Sequence, residues 1–221
     1  MPRAGRPAIP SVETLTDRAY ALIEEEIVTL RLGPGAVVSE AMLSARMGIG
    51  RTPIREALQR LAREHLVQIM PRRGIVVSEI DVVKQLRLLQ TLRVLEHLLA
   101  RSAARRGSAG ERAGFAAIAE GMDEAARQHD DLGFMRHDRA FNLLLLDAGG
   151  NEFAASALGL MNGLSRRFWF AHHQAMADLR LTARLHATIA RAIAAADGDA
   201  AAAASDALVD YIETLARKAI G

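Results

Sequence analysis

The 221-residue sequence predicts a mainly α-helical protein in two parts, with one small β-hairpin near the end of the first part. Apolar residues recur at three- and four-residue spacing along most of the chain, which is the periodicity of amphipathic helices. The spacing changes to strict alternation only over residues 66–77, around a Pro/Gly turn. After residue 81 the helical spacing returns, with interruptions at Gly and Asp, and this indicates an antiparallel helical bundle.

The composition excludes several classes of protein. The chain has no cysteine, which rules out disulfide frameworks, thiolate zinc sites and cysteine nucleophiles. No stretch approaches the roughly 18–20 apolar residues that a membrane span needs. The basic N-terminus is followed by Ser11, Glu13 and Asp17 instead of an apolar segment, so it does not have the pattern of a signal peptide. We therefore expect a cytoplasmic protein with no membrane partner.

Positive charge is concentrated in the first part of the chain. Between Ala41 and Ile75 there are seven arginines and two acids, whereas from Asp81 onward 17 basic residues balance 17 acidic ones. A local cationic patch on an otherwise neutral chain is typical of a nucleic-acid-binding module joined to a neutral domain. A solvated basic helix is the alternative on charge alone.

Proline, glycine and capping residues mark where the elements of the first part begin and end. Residues 1–11 contain three prolines and no periodicity, which predicts a flexible arm. A long amphipathic helix from Val12 to Leu30 ends before Gly33-Pro34-Gly35, and Ser39 is the expected N-cap of a second, short helix. Gly48-Ile49-Gly50 then separates the second helix from a third.

The third helix, residues 51–63, is followed by a hairpin that turns at Pro71-Arg72-Arg73-Gly74. Three helices and a hairpin with a basic tip are the layout of a winged helix-turn-helix domain over residues 12–78. Residues 79–221 predict an all-helical domain of six or seven helices. Its expected breaks are Arg106-Gly107-Ser108, the region of Asp130, Gly149-Gly150-Asn151, the region of Gly163, and Asp197-Gly198-Asp199.

The third helix carries the side chains that suit contact with DNA. Arg51 and Arg55 are four residues apart and project from one face at the start of the helix, where bases of the major groove are read. Thr52 and the free amides of the first turn suit a phosphate group. Gly74 permits the tight hairpin turn. An ordinary surface charge is the alternative for any one of these arginines.

The run SEAMLSARMGIGRTPIREAL from Ser39 to Leu58 resembles the DNA-binding domain of GntR-family transcriptional regulators, and Leu61, Glu64, Leu66, Val67, Pro71, Arg73 and Gly74 extend the likeness. The helical remainder resembles the FCD ligand-sensing domain of the FadR subfamily. Many relatives have Arg where this chain has Ala41, and Ser or Thr where it has Gly50. Both differences remove a contact to DNA, and Arg46, one turn beyond Ala41, is a candidate to replace it. The resemblance implies DNA contacts for Arg51, Thr52 and Arg55, and a wing glycine at Gly74. The position of Arg72 and Arg73 at the hairpin tip predicts that they reach the minor groove or the adjoining backbone. The complete predicted DNA-binding set is Arg46, Gly50, Arg51, Thr52, Arg55, Arg72, Arg73 and Gly74.

The same resemblance implies a divalent metal ion in the second domain, held by an Asp-x3-His pair and two further histidines. Asp138 and Asn142 occupy the first motif, His186 is retained, and the last position falls on Asp210 when counted after Gly198-Asp199. This oxygen-rich set suits manganese, magnesium or calcium better than zinc or nickel. An ordered basic group or amine in place of the ion, and a metal-free polar network, are the alternatives.

Two further residues are candidates for effector binding. Arg93 resembles a family position whose arginine faces the effector cavity and holds a ligand carboxylate. His97 is four residues further along the same helix and shares that face. A salt bridge between Arg93 and an acid is the competing explanation.

Together these features predict a ligand-responsive transcriptional repressor that senses a small carboxylate metabolite. We expect a homodimer on a pseudo-palindromic double-stranded operator. A DNA-binding regulator with a degenerate sensory site is the first alternative. A metal-dependent enzyme using Asp138, His186 and Asp210 is a remote one, because the chain has no nucleophile elbow, phosphate loop or His-Glu-x-x-His motif. We therefore do not expect an enzyme.

Overall fold

The computed structural model describes residues 14–71, 74–176 and 178–219, and within those ranges it contains nine helices and three strands. In chain order they are α1 (Leu15–Val28), β1 (Val37–Val38), α2 (Glu40–Met47), α3 (Arg51–Arg63), β2 (Val67–Met70), β3 (Gly74–Val77), α4 (Val82–Arg106), α5 (Ala109–Gln128), α6 (Asp131–Ala148), α7 (Glu152–Met176), α8 (Leu179–Ala194) and α9 (Gly198–Lys218). The predicted arm over residues 1–11 and the wing arginines Arg72 and Arg73 lie outside the described residues.

The first part of the chain folds around the apolar faces of α1 and α3. Ile23, Ile27, Ile54 and Leu58 are almost completely buried between these two helices and their neighbours. Thr14 begins α1 with a capping box: its hydroxyl accepts from the backbone N–H of Asp17, whose carboxylate accepts from the backbone N–H of Thr14. The predicted three helices are therefore confirmed.

A three-stranded antiparallel sheet in the order β1-β3-β2 closes this unit. The predicted hairpin is β2 and β3, with Ile69 opposite Ile75. Strand β1 was not predicted, and it pairs Val37 with Val76 on the other edge of β3. Two residues are too few to show an alternating pattern, which is why periodicity does not detect this strand.

The second part is a bundle of six helices, α4 to α9, around its own apolar core. Phe115, Phe134, Leu89, Leu92 and Leu99 are among its most buried side chains. The predicted break between the last two helices is confirmed, because α8 ends at Ala194 and α9 begins at Gly198. The combination of a winged helix-turn-helix unit and a helical bundle agrees with the predicted fold class.

The predicted break near Gly163 is wrong, because α7 continues through this residue from Glu152 to Met176. A Cβ atom at Gly163 would lie 2.7 Å from Cδ1 of Leu66, which belongs to the first core. The glycine thus permits a close approach of α7 to the first part of the chain. The adjacent Leu164 also packs against that core. None of the helices in the described ranges is long and apolar enough to cross a membrane.

Candidate functional sites

The turn between α2 and α3 fixes how α3 is presented at the surface. Gly48 adopts the left-handed conformation with φ of 65°, which glycine reaches without strain, and it ends α2. Ile49 is buried, and its carbonyl accepts a 2.6 Å hydrogen bond from the Ser44 hydroxyl. Gly50 is the N-cap of α3. The tight helix-turn-helix therefore leaves the start of α3 at the surface.

The first turn of α3 is suited to an anion. No side chain caps the helix at Gly50, and the first turn contains no acidic residue. Arg51 and Thr52 are both exposed there. The free backbone N–H groups and the helix dipole add to the charge of Arg51 at this end of the helix. This geometry fits the predicted phosphate and base contacts of Arg51 and Thr52.

Two of the predicted DNA-contacting arginines form ion pairs with acids of the same domain. The Arg55 guanidinium binds Glu40 with two bonds, Nε to Oε1 at 2.7 Å and the terminal nitrogen to Oε2 at 2.8 Å. Arg46 pairs with Glu26 of α1 at 2.8 Å. The Arg55 side chain is still 59% exposed, so it remains available on the outer face of α3. The Glu40 pair therefore fixes the orientation of Arg55.

Gly74 lies at the start of β3, with φ of +87°. A Cβ atom there would be 3.3 Å from the carbonyl oxygen of Val38. Gly74 is thus required by the left-handed backbone and by the close approach of β1, rather than by a contact of its own. Its predicted role as the glycine of the wing turn agrees with this position.

The second candidate site is a small cavity in the core of the helical bundle. It has a volume of about 40 Å³. Helices α4, α6, α7, α8 and α9 all contribute to its wall. The lining side chains are Glu96, Phe134, Met135, Asp138, Phe141, Asn142, Asn162, Ser165, Arg166, Trp169, His186, Leu208 and Ile212.

Asp138 is the centre of a hydrogen-bond network in this cavity. Its Oδ2 accepts from Nε of Arg166 at 2.8 Å, and its Oδ1 lies 3.3 Å from Nε2 of His186. The Asn142 amide donates to the backbone carbonyl and to Oδ1 of Asp138, at 2.9 and 3.1 Å. Nδ1 of His186 lies 2.9 Å from the carbonyl oxygen of Thr182. The structure therefore brings together Asp138, Asn142 and His186, three of the four predicted ligands.

The ionisation of this network follows from its pairing. Burial alone would raise the pKa of Asp138, but His186 and Arg166 outweigh it and hold that pKa below its ordinary value. Burial lowers the pKa of His186, but the hydrogen bond and the charge of Asp138 raise it overall. Because both ring nitrogens of His186 face acceptors, the protonated ring satisfies the site best.

Arg166 extends the network into the first part of the chain. Its guanidinium also donates to the carbonyl of Met135 at 2.7 Å and to the carboxylate of Glu24 on α1. Arg166 is 9% exposed and Glu24 is 2% exposed. The neighbouring Arg167, also buried, donates to the carbonyls of Ser78 and Glu79, in the segment that joins β3 to α4. Hydrogen bonds from α7 therefore reach both α1 and the segment that joins β3 to α4.

Asp210, the fourth predicted metal ligand, is not brought to the cavity, and its placement there is corrected. Its carboxylate binds Arg93 on the outer face of the bundle at 2.6 Å, and its side chain is 67% exposed. Leu208 and Ile212 face the cavity from α9 instead. Asp210 lies two residues, or about 200°, beyond Leu208 on the helix. The count was begun after Gly198-Asp199, whereas the N-cap of α9 is Asp197, two residues before Asp199.

The two predicted effector-binding residues are also placed outside the cavity, and this is a second correction. Arg93 binds Asp210 and lies 3.4 Å from Glu213. Nδ1 of His97 lies 3.0 Å from Asp206. Both pairs join α4 to α9 on the outside of the bundle. The competing salt-bridge explanation therefore describes Arg93.

The residues of the cavity do not fit a divalent metal ion. Asp138 already faces a permanent cation, since Nε of Arg166 is 2.8 Å from its Oδ2. Asn142 directs its N–H group toward Asp138. Leu208, which faces the cavity from α9 where Asp210 was expected, has no atom that could bind a metal ion. In the parts of the chain that the structure describes, no group of three His, Asp or Glu side chains is placed to hold an ion. The alternative of an ordered basic group agrees with the position of Arg166.

Sequence reasoning did not identify Glu24, Glu96 or Arg166 as site residues. The signal for Arg166 was present, because Arg166-Arg167 interrupts an apolar stretch in the middle of α7. Glu24 gave no such signal, since it belongs to three consecutive glutamates on α1. Its burial depends on where α7 lies, which local periodicity does not report.

Comparisons with known proteins agree with this two-part architecture. The sequence profile described as "Bacterial regulatory proteins, gntR family" matches residues 15–77, and the FCD domain matches residues 87–211. An HTH-type transcriptional regulator encoded in an unstable DNA locus of Streptomyces ambofaciens is 48% identical over 62 residues, which is 28% of this chain and 26% of that protein. The HTH-type transcriptional repressor RspR of Escherichia coli K12 is 33% identical over 72 residues, 33% of this chain and 32% of RspR. These alignments span about a third or less of the relatives' own lengths.

Solved structures share the fold over nearly the whole chain. Escherichia coli McbR/YncC superposes with a TM-score of 0.79 at 17% identity, covering 94% of this chain and 99% of the other. A GntR regulator from Rhodococcus sp. RHA1 superposes with a TM-score of 0.66 at 20% identity, covering 92% and 98%. Because the FCD match alone spans more than half of the sequence and the GntR match covers the remaining folded unit, the chain belongs to the GntR family of bacterial regulatory proteins and carries an FCD domain.

Proposed function

We propose that the protein is a DNA-binding transcriptional repressor whose affinity for its operator responds to a small molecule in the bundle cavity. One observation carries this proposal: the Arg166 guanidinium contacts both Asp138 in the cavity wall and Glu24 on α1 of the helix-turn-helix unit. A molecule that changes the position of Asp138 or Arg166 would act directly on α1. The repressor role is supported by the name of RspR, which is 33% identical to this chain over 72 residues.

The proposed DNA contacts are those at the start of α3. Arg51 and Arg55 lie on one exposed face of this helix, and Thr52 lies at its positively polarised end. One such helix contacts few base pairs, so we propose a homodimer on a pseudo-palindromic operator. The acidic partner of Arg55, Glu40, would repel phosphate groups and thereby favour a base contact for Arg55 over a backbone contact.

The proposed response is a shift between two arrangements of the domains. A ligand changes this equilibrium only by its difference in affinity for the two arrangements. Buried Arg166 makes such a difference in affinity possible. Any arrangement that separates it from Glu24 leaves this buried carboxylate with only the half-buried Arg139 as a partner. The Arg167 bonds to Ser78 and Glu79 restrain the connecting segment in the same way.

A regulator without an effector is the second candidate function. It is favoured by the completeness of the Asp138 network, in which both carboxylate oxygens have protein partners. In that case the network would serve only to hold the two domains together. DNA binding would then be constitutive or controlled by another protein.

The DNA-binding part of the proposal is tested by selecting bound sequences from a random pool of duplexes with the full-length protein. We expect recovered sequences to share two inverted half-sites, and Arg51→Ala to lose the selected sequence while retaining salt-dependent binding to any duplex. Recovery of no common sequence, or of single half-sites bound by a monomer in sedimentation, would contradict the proposal.

A further inference from the structure

The two cationic side chains of the cavity already face acceptors of the protein. The three nitrogens of the Arg166 guanidinium face Asp138, Glu24 and the carbonyl of Met135. The two ring nitrogens of His186 face Asp138 and the carbonyl of Thr182. An incoming carboxylate would therefore compete with Asp138 and Glu24 for the charge of these cations.

The polar groups that remain are mainly acceptors. Glu96 lines the cavity from α4, and no hydrogen bond or ion pair joins its carboxyl group to another described residue. The charges that act on it are those of His186, which attracts it, and Asp138, which repels it. The Asn142 amide nitrogen donates to Asp138, and the amide oxygen of Asn142 remains as an acceptor. Asn162 and Ser165 of α7 add two groups that can accept or donate. A ligand that donates hydrogen bonds is complementary to this set.

Aromatic rings complete the cavity wall. Phe134, Phe141 and Trp169 all line it. The ring centroids of Phe134 and Trp169 are 5.0 Å apart. The faces of aromatic rings attract cations, and they also pack well against alkyl groups.

The charges of the wall favour a cation as well. Asp138 forms ion pairs with Arg166 and His186, whereas Glu96 is attracted by His186 without forming an ion pair. Burial raises the pKa of Glu96 to about 7, and the charge of Asp138 adds to this rise while His186 opposes it. A second anion in the cavity would add to the repulsion between the two acids.

We propose that the cavity binds a small organic ammonium ion, which donates hydrogen bonds to Glu96 and packs its alkyl group among Phe134, Phe141 and Trp169. This assignment names the effector class and rests on the proposed function. It replaces the carboxylate that Arg93 suggested, since Arg93 lies on the outside of the bundle. The 40 Å³ volume has room for roughly three water molecules or an ion of about four non-hydrogen atoms.

The test compares three compounds of equal size, each with four non-hydrogen atoms: n-propylammonium chloride, 1-propanol and sodium acetate. Thermal unfolding of the full-length protein is measured with each compound at matched ionic strength and at pH 8, where the Glu96 carboxyl is mostly ionised. At about ten times its Kd, n-propylammonium is expected to raise the Tm by about 3–6 °C. We expect little or no increase with 1-propanol and none with acetate. Calorimetric titration of the wild-type protein with the same compounds checks the ranking without any variant.

Glu96→Gln removes the charge but keeps the shape of the side chain, and it is expected to abolish the increase in Tm with n-propylammonium. Glu120→Gln is the matched control, because Glu120 is exposed on α5 and should leave the increase unchanged. Equal or greater stabilisation by acetate, no stabilisation by n-propylammonium, or an unchanged response in Glu96→Gln would each overturn the ligand class.

Failure of the proposed function gives a different result. If n-propylammonium binds in a Glu96-dependent way but leaves the affinity for the selected operator unchanged, the ligand class is supported and the regulatory role of the cavity is wrong. If acetate binds and releases the operator while n-propylammonium does not, the regulatory role is supported and the ligand class is wrong.

Discussion

Arg166 and Asp138 form a buried ion pair in which Nε lies 2.8 Å from Oδ2, and the same guanidinium binds Glu24 on the first helix. Two acids from different domains thus share one buried cation. A buried cation is costly unless its charge and its N–H groups are compensated, and here three acceptors provide that compensation. The pair therefore joins the cavity to the helix-turn-helix unit through a single side chain.

Replacing Arg166 should destabilise the protein strongly. Arg166→Met would leave the carboxylates of Glu24 and Asp138 buried without their common partner, and the free energy of unfolding should fall by about 3–5 kcal/mol. Denaturant unfolding followed by circular dichroism measures this loss.

Arg139→Met is the matched control for that measurement. Arg139 also pairs with Glu24, with Nε 3.2 Å from Oε2, but its side chain is 30% exposed. Its removal should cost about 1 kcal/mol or less. Equal losses for the two variants would show that the shared contact of Arg166 has no special role.

Divalent metal ions should not stabilise the protein. The Arg166 guanidinium lies beside Asp138, where a metal ion would have to bind. Leu208 and Ile212, the α9 residues that line the cavity on either side of Asp210 in the sequence, have no ligand atom. Protein purified without a chelator or a metal-binding tag should contain far less than one ion per chain by elemental analysis. The Tm should be the same with EDTA and with added zinc, nickel or manganese. A near-stoichiometric ion that raises the Tm would refute the metal-free interpretation of this network.

Stability should fall as the pH rises from 5 to 8, in part because of Glu96. Burial raises its pKa from the ordinary 4.5 to about 7, so over this interval the folded protein retains a proton that the unfolded chain has lost. The contribution is most favourable below the unfolded pKa and is lost as the pH rises to the folded pKa. Between pH 5 and pH 8 this effect amounts to about 2–3 kcal/mol.

Glu96→Gln isolates that contribution, because Asp138 and His186 titrate in both proteins. The free energy of unfolding of the wild type should decrease by about 2–3 kcal/mol more than that of Glu96→Gln over the same interval. Urea unfolding at the two pH values gives the difference. Parallel pH profiles would mean that Glu96 titrates as an ordinary exposed carboxyl.

Sequence-specific DNA binding should depend on the start of α3. Arg51→Ala and Arg55→Ala should each weaken binding to the selected operator by about 1–3 kcal/mol. Arg63→Ala is the matched control on the same helix, since Arg63 is exposed in its last turn and should change specificity little. Fluorescence anisotropy with labelled duplexes measures all three variants. Specific binding that survives both α3 variants would place the DNA contacts elsewhere.

Most of the fold was predictable because its helices have clear apolar periodicity and clear caps. Ser39 as the N-cap of α2 and the left-handed Gly48 follow directly from local sequence rules. The continuous course of α7 through Gly163 was not predictable, because this glycine makes room for Leu66 of the other domain. A glycine that ends a helix and a glycine that allows close packing have the same local signature.

The cavity was predicted only in part, and the reason is geometric. Asp138 and His186 were found by their motifs, whereas Arg166 and Glu96 come from helices whose facing sides depend on tertiary packing. Asp210 was misplaced by two residues, which is enough to turn a side chain from the inside of a helix to its outside. The stretch between Asp199 and Ser205 consists of alanines only, so no distinctive residue within it shows that the count is wrong by two positions.

Communication between the cavity and α1 is tested by the effect of n-propylammonium on operator affinity in the wild type and in Glu24→Gln. We expect the ligand to raise the Kd of the wild type for the selected duplex at least about fivefold. Glu24→Gln, which weakens the link from α1 to Arg166, should bind the ligand but show little change in Kd for DNA. An equal ligand effect in both proteins, or none in the wild type, would contradict communication through Arg166.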